Sequence, residues 1–154
     1  SALERVSARA RDRDITFAHS IHLDTARGDV ALIRRAVVAL LVHAVRETPR
    51  GGVVTLEARR VADAGRPSLV VSVADGAAAR FPDGLPRRLS ALLPAPPIGG
   101  ARKGVTLDDV GLAFCEAMSR LHGGAATVVS GEESGNVLSF AVPLIETVAE
   151  EDVG

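Results

Sequence analysis

The stretch His43-Ala-Val-Arg-Glu-Thr-Pro-Arg-Gly-Gly52 separates two different periodicities. Upstream, Ile33, Val37, Leu40, Leu41 and Ala44 recur at helical spacing, which predicts an amphipathic helix over 30–46 with Gly28-Asp29 supplying its N-cap. Downstream, Val53-Val-Thr-Leu-Glu-Ala-Arg-Arg-Val61 has the β-branched, alternating pattern of a strand. Pro49 disfavours helix in the residue before it, and Gly51-Gly52 tolerates the turn that must follow. The helix therefore ends here and a strand begins, which commits the chain to a mixed α and β architecture.

The remaining elements follow the same logic. Ile15-Thr-Phe-Ala-His-Ser-Ile-His-Leu23 alternates with period two and predicts a half-buried strand, on which His19 and His22 read as solvated residues. A hairpin-like connection over 63–67 leads to a more buried strand at 68–74, so these two strands should be antiparallel neighbours. A short helix is predicted over 85–93. The Pro- and Gly-dense segment 94–104 reads as an irregular lid. Asp108 or Asp109 can cap a helix running to Leu121, closed by His122-Gly123-Gly124 with Gly123 or Gly124 at the C-cap, and strands over 125–130 and 137–143 form a final hairpin around 131–136. This order predicts an α/β (α+β) two-layer sandwich, with helices on one face of a mixed, mostly antiparallel sheet. There is no internal repeat.

Composition narrows the function classes. With 154 residues the chain suits one domain, able to bury about two-thirds of its unfolded surface. Hydrophobic residues at 47% and charged residues at 24% argue against disorder. Only four Phe, with no Trp or Tyr, leave few stacking platforms, and a net charge of −1 lacks the field that a nucleic-acid backbone requires. Nucleic acid is therefore not an expected partner. Cys115 stands alone within an amphipathic helical pattern, so it cannot form an internal disulfide and reads as a core residue. No run approaches the roughly 18 apolar residues of a membrane span, and the first residues lack signal-peptide order. A cytoplasmic location without membrane contact is the default expectation, and the start without Met reads as a piece of a longer chain. Residues 1–13 are expected to be a linker or the end of a preceding helix, 14–145 the domain, and 146–154 an acidic tail.

The local words and their order resemble the ATP-binding catalytic domain of sensor histidine kinases. That domain is part of the wider superfamily, often called GHKL, that includes gyrase, heat-shock-chaperone and mismatch-repair ATPases. In that family a helix carries two Asn one turn apart, then Ala, a basic residue and an aromatic-Thr/Ser-Pro-x-Gly-Gly ending. The same frame here reads Ala39, His43, Ala44, Arg46, Glu47, Thr48-Pro49 and Gly51-Gly52. Positions 39, 43, 46 and 47 share one helical stripe and can line a single wall. Both Asn are missing, and imidazole is a less natural ligand than amide oxygen for hard Mg²⁺. His43 is thus assigned either to phosphate or metal, or to a buried structural place.

The resemblance implies further site residues. Asp75, after the strand Val71-Ser-Val-Ala, matches the family's adenine-amino acceptor, while Ala77 and Ala79 occupy its glycine positions. Gly111-Leu112 retain the end of a Gly-rich phosphate loop, whose earlier glycine positions hold Leu107 and Asp109. Arg102 and Lys103 would bring positive charge from the lid. The implied fold is the Bergerat-type ATP-binding sandwich. The implied activity is transfer of the γ-phosphoryl group of Mg²⁺-ATP to a His on a separate dimerisation domain, then to a response regulator. The related ATPases keep a Glu base one turn before the second Asn. Here that position is Ala39, and Glu47 lies one turn after His43, so only slow hydrolysis is expected. The alternatives are a degenerate, pseudokinase-like binding or scaffold module and a Ser/Thr kinase of the anti-sigma-factor kind.

Overall fold

The computed structural model describes residues 2–22, 30–63, 65–93 and 106–144. The chain order is α1 (Ala2–Asp12), β1 (Thr16–His22), α2 (Val30–Glu47), β2 (Val53–Asp63), β3 (Arg66–Ala74), β4 (Arg87–Arg88) with a 3₁₀ turn (Leu89–Leu92), α3 (Leu107–Leu121), β5 (Ala125–Gly131) and β6 (Gly135–Pro143). The six strands form one sheet in the order β1-β2-β3-β6-β5-β4. β1 runs parallel to β2, with α2 as the crossover between them, and every other neighbouring pair is antiparallel. The three helices pack against this mixed sheet, which is the sandwich that the element order predicts.

Period-two burial builds the sheet side of the core. Leu69, Val71 and Val73 on β3 face the same side as Leu138, Phe140 and Val142 on β6 and Ala126 and Val128 on β5, and all are buried. Opposite them come Ala36, Leu40, Leu41, Ala44 and Val45 of α2 and Leu112, Cys115 and Met118 of α3. Phe140 is fully buried, the largest such side chain among the described residues, in a core that is otherwise aliphatic apart from the partly buried Phe81 and Phe114 at its edge. Burial in this apolar layer pushes the Cys115 thiol up to about 12, which keeps it an inert packing residue. α1 adds Val6 and Ala10 beside α2.

Several local expectations need correction. Residues 85–93 are not an α-helix: the short strand β4 pairs with Val128 and Thr127 of β5, and a 3₁₀ turn follows. Leu89 and Leu92 of that turn are buried, and this spacing of three satisfied the helical pattern in the sequence. The N-cap of α3 is Thr106 rather than Asp108 or Asp109. Its hydroxyl accepts from Asp109 N–H, while the Asp109 carboxylate accepts from Thr106 N–H at 3.1 Å, a reciprocal capping box. The C-cap of α3 is His122. Gly123 follows in the left-handed region (φ 80°), and Gly124 N–H closes back on Ser119 O at 2.8 Å. β6 begins at Gly135, so Asn136 is a strand residue and not part of the turn. The N-cap assigned to Gly28-Asp29 and the lid at 94–104 lie outside the described residues.

Candidate functional site

Asp75 sits where the alternation of β3 ends. Continuing the buried phase of Leu69, Val71 and Val73 by one step turns its carboxylate to the helix side, where it is 4% exposed. The group is held from several sides. Oδ1 accepts from Asn136 N–H at 2.9 Å, Ala77 N–H at 3.1 Å and Asn136 Nδ2 at 3.2 Å, and Oδ2 shares the Nδ2 contact at 3.2 Å. Asp75 N–H in turn donates to Asn136 O at 3.0 Å, so the strand end and the start of β6 are joined in both directions, once through the backbone and once through the carboxylate.

The end of α2 forms the adjoining wall. His43 is 3% exposed, and its Nδ1 has no hydrogen-bond partner. Burial lowers its proton affinity below the ordinary value of 6.5; Glu47 and Asp75 oppose this and Arg46 and Arg80 reinforce it, so the imidazole is neutral near pH 7. Those influences place His43 within electrostatic reach of the Asp75 turn. Arg46 and Glu47 pair at 3.3 Å on the half-exposed rim. Thr48, fully buried, donates from Oγ1 to Ala44 O at 2.6 Å and accepts from Gly76 N–H at 3.0 Å, which ties the helix end to the turn after Asp75. A Cβ at Gly52 or Gly76 would press on the Thr48 methyl, at 2.5 and 2.9 Å, so the Thr-Pro-x-Gly-Gly word encodes a close three-way contact. Arg13 caps the same helix end by donating from Nη1 to Val45 O at 2.8 Å and Arg46 O at 2.7 Å.

The start of α3 closes the third side. Gly111 meets Ala39, where a Cβ would come within 3.1 Å of the Ala39 methyl, so the two small residues let α2 and α3 approach. Leu112 points into the core at 2% exposure. The Asp109 carboxylate is held below the usual range by its Thr106 hydrogen bonds, with Arg46 and His43 adding smaller pulls. The structure thus gathers His43, Arg46, Glu47, Asp75, Ala77 and Asp109 around one region. Ala79 lies half-buried on the same turn, and Arg102 and Lys103 lie outside the described residues.

No known sequence family and no curated protein matches this chain at the level of sequence. Solved structures do match. The full-length ShkA structure in complex with AMPPNP aligns with 96% of this chain at 26% identity and a TM-score of 0.69, although this chain spans only 29% of ShkA. The mycobacterial sensor histidine kinase MprB aligns with 93% at 24% identity and a TM-score of 0.59, and this chain spans 91% of that structure. The catalytic domain of histidine kinase ThkA aligns with 93% at 19% identity and a TM-score of 0.65. The chain has the histidine-kinase catalytic-domain fold.

Among the described residues no group of three or more His, Cys, Asp or Glu side chains is arranged to hold a metal ion, and no helix is long and apolar enough to cross a membrane. A Mg²⁺ ion that keeps waters and phosphate oxygens needs only one or two protein ligands, and the orphaned His43 Nδ1 and the nearby Glu47 are the groups available. Two contributors escaped the sequence reading. Asn136 looked like a turn residue, yet it stands in phase with buried Leu138, Phe140 and Val142, a polar residue at a core position. In the sequence Thr48 stands only as part of the Thr-Pro-x-Gly-Gly word, with nothing to signal its bond to Gly76.

Proposed function

We propose that this chain is the ATP-binding catalytic domain of a two-component sensor histidine kinase. The observation that carries the proposal is the buried Asp75 carboxylate, whose turn is tied through Thr48 to the helix end bearing His43, Arg46 and Glu47, in a fold shared with full-length ShkA, whose structure is a complex with AMPPNP. Asp75 would accept a hydrogen bond from the adenine amino group. The Ala77 to Ala79 turn would border the base, and Gly111 and Leu112 would carry the α3 start toward the phosphates. Arg46, with Arg102 and Lys103, would supply positive charge there. His43 or Glu47 would help to hold a Mg²⁺ ion, which would supply charge neutralisation for the phosphates.

These residues bind and orient; none is a nucleophile. In the reaction the bond from the γ-phosphorus to the ADP oxygen breaks, and a bond to an imidazole nitrogen of the separate dimerisation domain forms as that imidazole loses its proton. Positioning and charge neutralisation supply most of the acceleration in such transfers, so a pocket without the family's Asn pair can still work. The response regulator would take the phosphoryl group next. With Ala39 in place of the Glu base of the related ATPases, water attack should stay slow.

Calorimetric titration with ATP, with and without Mg²⁺, tests this reading. We expect saturable binding that weakens about tenfold or more in Asp75→Asn, since the hydrogen bond to a charged acceptor is replaced. Absence of binding under both conditions would favour the pseudokinase-like module, to which the loss of both Asn and the unsatisfied His43 also point.

A further inference from the structure

We propose that Asn136 is the positioning residue of the nucleobase end of the site: it fixes which oxygen of Asp75 a ligand meets and presets the turn over 76–80. This rests on the nucleotide-binding reading and deepens it. Asn136 is 5% exposed and lies 61 residues from Asp75 in sequence, yet it meets that turn at three points. Its Nδ2 donates to the Asp75 carboxylate and to Ala78 O at 3.0 Å. Its Oδ1 accepts from Arg80 N–H at 2.9 Å and from Ser130 Oγ at 2.6 Å, and Ser130 Oγ itself accepts from Phe81 N–H at 3.1 Å.

The amide orientation is forced. Turning it over would set its oxygen against the Asp75 carboxylate and Ala78 O, and its NH₂ against Arg80 N–H. Every donor and acceptor of the side chain is therefore used within the protein, and Asn136 has nothing left to offer a ligand. Its effect on a ligand passes through Asp75. Oδ1 already takes three protein donors, whereas Oδ2 has only the shared Nδ2 contact, which leaves Oδ2 as the acceptor for an incoming amino group. Gly135 allows this closeness: a Cβ there would lie 2.5 Å from Asp75 O and 2.9 Å from Ala77 O. With φ 69°, the same glycine also turns the hairpin in the left-handed region.

A carboxylate locked in this way should discriminate an amino group from a carbonyl at the same place on the base. ATP and inosine triphosphate differ there, so their affinity ratio reports the orientation of Asp75. In Asn136→Ala we expect ATP affinity to fall about tenfold and the ATP-to-ITP ratio to shrink by a similar factor. Amide exchange at Ala77 and Arg80 should speed up while that at Val71 and Leu138 stays slow. Asn136→Ser provides a second, milder truncation should the alanine variant fold poorly.

The exchanged pair Asp75→Asn with Asn136→Asp keeps an amide against a carboxylate but sets an oxygen against Ala78 O, so it should fold with a lowered melting temperature and lose ATP. Equal losses for both nucleotides with an unchanged ratio, or an exchanged pair that binds ATP as the wild type does, would overturn the proposal. If the wild-type chain binds neither nucleotide, the nucleotide reading fails separately. Exchange at Ala77 and Arg80 then decides the role of Asn136: acceleration in Asn136→Ala sustains it as the residue that sets the turn, and unchanged exchange removes it.

Discussion

Two buried polar groups face the same region and are in opposite states. At the β3 end, Asp75 and Asn136 satisfy one another and the turn around them, with eight hydrogen bonds from Asp75, Ala77, Arg80, Ser130 and Asn136. At the α2 end, His43 is as deeply buried and has an Nδ1 without a partner. A satisfied network in a low-dielectric interior holds its shape alone, whereas an unsatisfied group carries a desolvation penalty that only a ligand or a substitution relieves. The Asp75 end of the site is thus preformed by the fold, and the α2 end keeps one buried nitrogen unsatisfied.

That contrast can be broken by mutation. The largest effect should come from Asp75→Ala, which leaves Asn136 N–H, Asn136 Nδ2 and Ala77 N–H without their acceptor and should cost about 3 kcal/mol in denaturant unfolding. A loss below about 0.5 kcal/mol would mean that the network is not a stabilising unit. Thr48→Val keeps the shape but orphans Gly76 N–H, and about 1–2 kcal/mol should disappear, with faster exchange at Gly76 as the local signature.

His43→Leu should behave in the opposite sense, unfolding within about 1 kcal/mol of the wild type or above it, because it removes an unpartnered polar atom. It should also flatten the acid limb of stability. The folded imidazole has a lowered proton affinity, so the unfolded chain binds more protons below pH 6.5, and wild-type stability falls as pH is lowered through that range. A wild type and variant with parallel profiles from pH 7 to 5 would show that His43 is not the group responsible. The smallest change belongs to Arg13→Gln. It weakens the two bonds to Val45 O and Arg46 O and should cost about 0.5–1 kcal/mol in thermal unfolding, while shifting ATP affinity less than Asp75→Asn does.

Much of the fold was legible because its signals are local. The periodicity of Ile33, Val37, Leu40 and Leu41 gave α2, alternation gave β2, β3 and the final hairpin, and Pro49 with the paired glycines gave the break between them. The same local logic failed at 85–93, where two leucines three apart satisfied a helical pattern that β4 and its pairing with β5 override. It also misplaced the α3 cap, because Thr106, Asp108 and Asp109 are all capping residue types and only the hydrogen bonds choose among them.

The sequence alone determined the order of elements apart from β4, the aliphatic core and the place of Asp75 at a strand end, since each depends on spacing within one segment. The tertiary structure alone decided that Asn136 closes on Asp75, that Thr48 reaches Gly76, and that His43 is buried with a bare nitrogen. Each of these depends on which distant segments the sheet order brings together: β6 lies next to β3 only in the folded sheet, and the α2 end meets the Asp75 turn only when helix and sheet have packed. Hydrogen-bond satisfaction is a property of that assembled neighbourhood, and no window of the chain contains it.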